Sequence, residues 1–250
     1  MAVVAAATQP SLVPLRARRA LWILAVFFFV QIIVGLFVGF FVAIHSTTYG
    51  GARTVASVSV VPAAIAGVIL GGLLAFRMSK RTFPHSAYEL YQTIGWSRAS
   101  RLQILSSALV GLALSGLYLF VAFQMFPPKA QQSWNVFGDA VVAGGWPRHG
   151  WALLALVLAP LVEEFLFRGV VFAGLARSWP VPVAGLVTTI LFVLAHGVSL
   201  QPYWPSILAI TSFAVAALRA RIVTKSLAPC ISMHVAYNLG MVAAAYAGTP

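Results

Sequence analysis

Two adjacent acids, Glu163 and Glu164, lie in the apolar stretch LAPLVEEFLFRGVVFAGLA at residues 158–176. The chain has only four acidic residues, and a carboxylate in hydrocarbon is costly enough to indicate a functional site. Glu164 and Arg168 are four residues apart, so one helical face brings them together as an ion pair. Glu163 points elsewhere around the helix and has no cation at that spacing. It must therefore find a partner on another helix or titrate, as a general base or acid does.

Further polar side chains interrupt the apolar stretches that follow. His196 ends the sequence FVLAH, which begins at Phe192, and His234 and Asn238 are four residues apart in HVAYN. Counted at 1.5 Å per residue from the flanking basic or proline residues, these groups and Glu163 lie at comparable depths of roughly 13 to 24 Å. A carboxylate, two imidazoles and an amide at one depth favour a functional cavity in the bilayer. Its chemistry would be hydrolysis, metal binding or proton-coupled transport.

Long apolar runs must position these groups. The chain has 250 residues, of which 61% are apolar and 8% are charged, and several runs reach the length that crosses a bilayer. We predict an all-α fold, a polytopic transmembrane bundle of seven spans, or eight if a long loop hides another. The predicted spans are 20–45, 55–76, 102–126, 151–175, 181–200, 204–222 and 227–247. Residues 1–150 would supply N-terminal spans and interfacial loops, and 151–247 the helical core of the same membrane domain.

Two polar segments separate the early spans. Residues 78–100 predict an interfacial loop with a short helix, and residues 127–150 predict a loop with a re-entrant or surface helix. The pairs Gly35/Gly39 and Gly67/Gly71 have the spacing that lets helices approach closely. His45, His85 and His149 lie near predicted span ends, where we expect surface or interfacial positions.

The net charge of +12 comes from short loops at span ends, so lipid headgroups and topology explain it, and nucleic acid is not an expected partner. Alternating the loops places twelve Lys and Arg on one side and three on the other, with Arg168 inside the membrane. This asymmetry predicts a cytoplasmic N-terminus and an external C-terminus.

The first apolar run, residues 20–44, is too long for the core of a signal peptide, so we expect it to be a retained span. We expect an integral protein of a bacterial inner membrane.

Three motifs in order resemble the CPBP family of intramembrane proteases: EEFLFR at 163–168, FVLAH at 192–196 and HVAYN at 234–238. That family includes the Ras-converting CAAX endopeptidases and bacterial relatives linked to bacteriocin self-immunity. The resemblance covers about residues 150–245. It implies an endopeptidase that hydrolyses a peptide bond of a membrane-associated peptide or protein, prenylated or not.

The resemblance also implies roles for the motif residues. Glu163, assisted by His196, would polarise a water molecule as general base. His234 and Asn238 would donate hydrogen bonds to the oxyanion that develops on the substrate.

The other motif residues would support this centre. Glu164, also a catalytic candidate, would pair with Arg168 and hold its helix in place, and Phe192 would support His196. If the enzyme uses a metal, zinc would be bound by Glu163, His196 and His234 with water as the fourth ligand. The helix motif HExxH of zincins is absent, which favours direct activation of water by Glu and His.

The sequence is also compatible with other functions. A non-catalytic immunity or scaffold protein could retain the fold, and a proton-coupled transporter could use the same buried groups. Cys230 precedes His234 by four residues, so a Cys–His nucleophile pair is conceivable, although a small packing residue at a helix start is the simpler reading. Asp139 is the only aspartate, which excludes an aspartyl dyad within the chain.

Overall fold

A computed structural model describes residues 15–45, 52–83, 86–127, 141, 144–197 and 203–248, with the backbone alone for 52–58. The regular structure in these ranges is helical, which confirms the predicted fold class. In chain order the helices are α1 (Ala17–His45), α2 (Ala52–Lys80), α3 (Ala87–Ile94), α4 (Arg101–Met125), α5 (Gly145–Ala176), α6 (Val181–Ala195), α7 (Trp204–Thr224) and α8 (Ala228–Ala247).

The predicted count of seven spans is not confirmed. In the described ranges, five helices are long and apolar enough to cross a membrane: α1, the part Ser59–Lys80 of α2, α4, α5 and α7. Helix α6 is apolar but has only 15 residues, fewer than the ~20 needed to cross the hydrocarbon core. Helix α8 has 20 residues, but polar side chains that include His234 and Asn238 reduce its apolar character.

Helix boundaries also differ from the sequence-based ones. The span predicted at 181–200 ends at Ala195, and residues 198–202 lie outside the described ranges. The span predicted at 151–175 begins earlier, at Gly145, so the end of the predicted loop 127–150 belongs to α5. Residues 128–140 of that loop, and with them Asp139, lie outside the described ranges, as does His85.

The segment between α2 and α4 contains the predicted short helix. Ser86 caps the start of α3 by accepting a hydrogen bond from the Glu89 N–H at 3.1 Å. Gly95 ends the helix with φ 80°, a left-handed conformation that favours glycine. The Gly95 carbonyl then accepts a hydrogen bond from the Leu227 N–H at 2.8 Å. This bond attaches the loop after α3 to the turn between α7 and α8.

Small residues allow close packing between some of the helices. A Cβ added to Gly67 or Gly71 of α2 would collide with Gln31 or Phe27 of α1, which confirms the prediction for that pair. Gly35 and Gly39 do not pack in this way within the described part of the chain, because a Cβ added to either would meet no atom within 4 Å. The alternative, that this spacing forms a dimer interface, stays a prediction.

Helices α4 and α8 also approach closely. A Cβ added at Gly111 would collide with the backbone carbonyl of Met233, and one added at Gly240 with Ser115. These contacts fix the position of α8, which carries His234 and Asn238.

Helix α5 packs against most of the other helices: α1, α2, α3, α6, α7 and α8. Its backbone hydrogen bonding is irregular. Two π-helical turns, Leu154–Leu158 and Phe165–Val171, flank a short α-helical segment, Ala159–Glu164, that ends with the two acids. Every residue of the second π-helical turn is buried. π-Helical turns of this kind often mark functional sites.

Arg221 lies in the last turn of α7, within the predicted span 204–222, and is 7% exposed. Its guanidinium group donates hydrogen bonds to the carbonyls of Arg168 at 3.2 Å and Thr93 at 3.3 Å. This side chain therefore joins α7 to α5 and α3.

Candidate active site

Glu163 faces both histidines that the sequence singled out. Its Oε2 lies 3.6 Å from Nε2 of His196 and 3.9 Å from Nε2 of His234. The same oxygen is buried and has no hydrogen-bond partner. Glu163 is 22% exposed and His196 is 25% exposed, so this side of the cluster is accessible from outside the protein.

The hydrogen bonds of the two rings define which nitrogens carry protons. His196 Nδ1 lies 2.8 Å from the Phe192 carbonyl, which can only accept, so Nδ1 is the donor. His234 Nδ1 lies 2.8 Å from Oε1 of Glu164, and a carboxylate oxygen likewise makes Nδ1 the donor. In the neutral form of each ring, Nε2 therefore presents a lone pair toward Glu163.

Three acceptors thus converge on one small volume. Lone pairs on a carboxylate oxygen and two imidazole nitrogens repel one another unless a hydrogen donor or a positive charge lies between them. A water molecule supplies two such hydrogens, and protonation of either ring supplies one. The arrangement therefore favours a polarised water or a shared proton at Glu163.

Glu164 lies on the inner side of this cluster and is fully buried. Its Oε1 accepts hydrogen bonds from Arg168 Nη1 at 3.0 Å and from His234 Nδ1 at 2.8 Å. The predicted pairing of Glu164 with Arg168 is confirmed. Its bond to His234 was not anticipated, and it makes Glu164 the group that orients that ring.

Phe192 forms an apolar platform beneath the polar groups. Its ring centroid lies 4.1 Å from Cζ of Arg168 and 4.5 Å from the ring centroid of His196, and the side chain is fully buried. A guanidinium group over an aromatic face is stabilised by the ring's negative electrostatic potential. The motif phenylalanine therefore supports both Arg168 and His196.

Helix α7 contributes two partners that sequence reasoning missed. The Ala214 carbonyl accepts a hydrogen bond from Arg168 Nη2 at 3.2 Å. The ring of Phe213 lies 4.6 Å from that of His234. No sequence signal could have identified them, because one acts through its backbone and the other resembles any core phenylalanine.

Asn238 is engaged by the backbone of α5. Its Nδ2 donates a hydrogen bond to the Ala155 carbonyl at 2.7 Å. The Ala159 N–H bonds to Leu154, one residue beyond the α-helical pattern, and Pro160 has no N–H. The Ala155 carbonyl consequently lacks both of the helix donors nearest to it, and Asn238 supplies a replacement. An oxyanion contact remains a prediction for the second amide hydrogen of Asn238.

We expect Asn238→Ala to destabilise the protein by about 1–3 kcal/mol, because it leaves a partly buried carbonyl without a donor. In a Pro160→Ala background the restored N–H can bond to Ala155, so the same substitution should cost clearly less. A double-mutant cycle on the free energy of unfolding in detergent measures this coupling. Equal costs in the two backgrounds would contradict the assignment.

The Glu163, His196 and His234 side chains are of types that bind zinc. Across the described ranges, however, no group of three or more His, Cys, Asp or Glu is arranged to hold a metal ion.

Cys230 and the other two described histidines have different hydrogen-bond and stacking partners. Cys230 is buried, and its thiol donates to the Ala217 carbonyl at 3.2 Å, as a packing residue would. His45 ends α1 and stacks on Phe41, and His149 contacts Tyr246.

Comparison with known proteins identifies the part of the chain that holds the site. Residues 145–240 match the family model described as Type II CAAX prenyl endopeptidase Rce1-like. This match supports the resemblance to CAAX proteases of the CPBP family that the three motifs indicated. No curated protein and no solved structure matches the chain.

Proposed function

We propose that this membrane protein is an intramembrane endopeptidase, because residues 145–240 match the Rce1-like family model of CAAX prenyl endopeptidases. It hydrolyses a peptide bond of a membrane-associated peptide or protein with a water molecule activated by Glu163 and His196. The observation that carries the proposal is the convergence of three acceptors, with Oε2 of Glu163 unpartnered between two Nε2 atoms.

A water molecule in this space donates hydrogen bonds to Oε2 of Glu163 and Nε2 of His196. Glu163 takes one proton as the water oxygen attacks the substrate carbonyl carbon. The C–N bond then breaks, and the proton passes to the leaving amine nitrogen. His196 directly follows the C-terminal end of α6 and holds the water beside Glu163.

The oxyanion formed by the attack needs hydrogen-bond donors close to the attacked carbonyl. His234 supplies one when it is protonated: Nε2, 3.9 Å from Oε2 of Glu163, then carries a hydrogen, and Nδ1–H remains bonded to Glu164. The Glu164 carboxylate stabilises this imidazolium, and Arg168 holds the carboxylate in place. The free amide hydrogen of Asn238 is the second proposed donor.

The substrate reaches the site from the side on which Glu163 and His196 are exposed. We propose a peptide or protein substrate held in the membrane, with prenylated and unmodified forms as the two classes to compare. The loop charges support a cytoplasmic N-terminus and an external C-terminus in a bacterial inner membrane. Residues 151–247 supply the chemistry, and residues 1–150 supply flanking spans within the same domain.

The test is cleavage by the purified protein in detergent, using a peptide library that includes farnesylated members, with and without a chelator. His196→Ala should lower the cleavage rate by about 10²-fold or more, because it removes the second group that orients the water. His149→Ala is the matched control, since that ring contacts only the distant Tyr246 among the described aromatic groups. Cleavage should persist with the chelator.

Each outcome discriminates between the candidate functions. Loss of wild-type cleavage on chelation would replace direct water activation by a metal mechanism. Failure of the wild type to cleave any peptide would contradict an endopeptidase, and retained peptide binding would then favour a scaffold or immunity protein. Proton-coupled uptake in liposomes would favour a transporter.

A further inference from the structure

A second feature lies at the N-terminal end of α1 and the C-terminal end of α2, away from the candidate active site. A cavity of about 910 Å³ opens between the two helix ends. Four arginines line it, three from the start of the chain's first helical region and one that follows α2: Arg16, Arg18, Arg19 and Arg81. Apolar residues complete the lining, among them Trp22 and Met78.

The positive charge in this cavity is uncompensated. In the part of the chain that the structure describes, none of the four guanidinium groups forms an ion pair or a side-chain hydrogen bond. The chain has four acids, and two of them, Glu163 and Glu164, are engaged at the active site. Neighbouring guanidinium groups repel one another, so an anion bound among them would be stabilised by all four.

The apolar part of the lining limits the kind of anion. Trp22 lies four residues beyond Arg18 on the same face of α1 and is 62% exposed. A tryptophan at the end of a spanning helix marks the boundary between headgroups and acyl chains. A ligand that fits both parts has an anionic phosphate at one end and a hydrocarbon chain at the other.

We propose that this cavity binds an anionic phospholipid. Its phosphate lies among the four arginines, and its acyl chain follows Trp22 and Met78 along the outside of α1 and α2. The predicted orientation of the chain puts this end in the cytoplasmic leaflet, where negatively charged lipids attract basic residues.

The site is connected to the end of the helix that carries the acids. Ala20 of α1 packs directly against Gly174 of α5, and the Ala17 N–H donates a hydrogen bond to Ser178 Oγ at 3.0 Å. A lipid bound across α1 and α2 therefore stabilises the part of α1 against which the C-terminal end of α5 packs. Binding should raise the melting temperature of the protein.

The experiment is native mass spectrometry of the full chain in detergent, titrated with phosphatidylglycerol or with phosphatidylcholine of the same acyl chains. We expect phosphatidylglycerol to bind about tenfold more tightly or better. Arg19→Gln/Arg81→Gln should weaken its binding by about tenfold or more. Arg98→Gln/Arg101→Gln removes the same charge at the start of α4 and in the loop before it, and should leave the affinity unchanged.

A charge-preserving variant separates binding from folding. Arg19→Lys/Arg81→Lys should retain most of the affinity, whereas a loss equal to that of the glutamine pair would overturn a headgroup site based on charge. Equal binding of the two lipids would overturn the proposal, as would an equal effect of the two glutamine pairs. Glycerol 3-phosphate and inorganic phosphate are titrated separately. Binding of either as tight as that of the lipid would assign the cavity to a soluble phosphate instead.

Discussion

Glu163→Gln is expected to lower peptide cleavage by about 10⁴-fold, because the amide cannot accept the proton that the attacking water releases. The substitution keeps the size and shape of the side chain. It also removes the negative charge that faces His196 and His234. Oε2 of Glu163 makes no hydrogen bond, so the folded state loses little, and the melting temperature should stay close to that of the wild type.

Single-turnover cleavage of the best library peptide, at saturating enzyme, measures the chemical step directly. Glu89→Gln is the matched control, because Glu89 lies in the first turn of α3, outside the cluster. It removes one acid by the same isosteric change and should leave the rate unchanged. Undiminished cleavage by the Glu163 variant would exclude this carboxylate as the general base.

Glu164→Gln is expected to have its main effect on stability, with a loss of about 3–5 kcal/mol in the free energy of unfolding. The carboxylate is fully buried and accepts from both Arg168 and His234. Replacing it with a neutral amide leaves the Arg168 charge without a counter-ion in the interior. Removing one member of a buried pair is far more costly than replacing the whole pair with apolar groups.

A double-mutant cycle with Arg168→Met tests this explanation. The double variant removes both charges, so it should be less destabilised than the sum of the two single variants. Unfolding in detergent followed by circular dichroism supplies the free energies. A Glu164 variant as stable as the Glu163 variant would contradict a structural role for the buried carboxylate.

Together the two variants distinguish adjacent acids that a sequence motif treats as a unit. Glu163 is partly exposed and faces two imidazole rings, whereas Glu164 is buried and its Oε1 accepts two hydrogen bonds. We therefore expect an active-site phenotype at one position and a folding phenotype at the next. Helix geometry explains the difference, because successive side chains point in directions that differ by about 100°.

The local part of the site could be read from spacing alone. Glu164 and Arg168 meet because residues four apart share a helical face, and His196 contacts Phe192 at the same spacing. The apolar runs likewise determined the all-helical fold class. They did not determine the number of spans, because length and composition identify an apolar helix without showing that it crosses the membrane.

The contacts between helices required the tertiary structure. Asn238 reaches Ala155 only because Pro160 and a π-helical turn free that carbonyl and α8 packs beside it. The buried position of Arg221 likewise depends on Gly95, where an added Cβ would collide with its guanidinium group.

The sequence by itself thus determined which residues share a helical face and that their chemistry lies within apolar helices. The tertiary structure alone decided that Glu163 faces two imidazoles while Glu164 is bonded to one of them. The physical reason is that side-chain direction along one helix follows a fixed period. The rotation and depth of one helix against another depend on the packing of many small contacts, such as Gly111 against Met233.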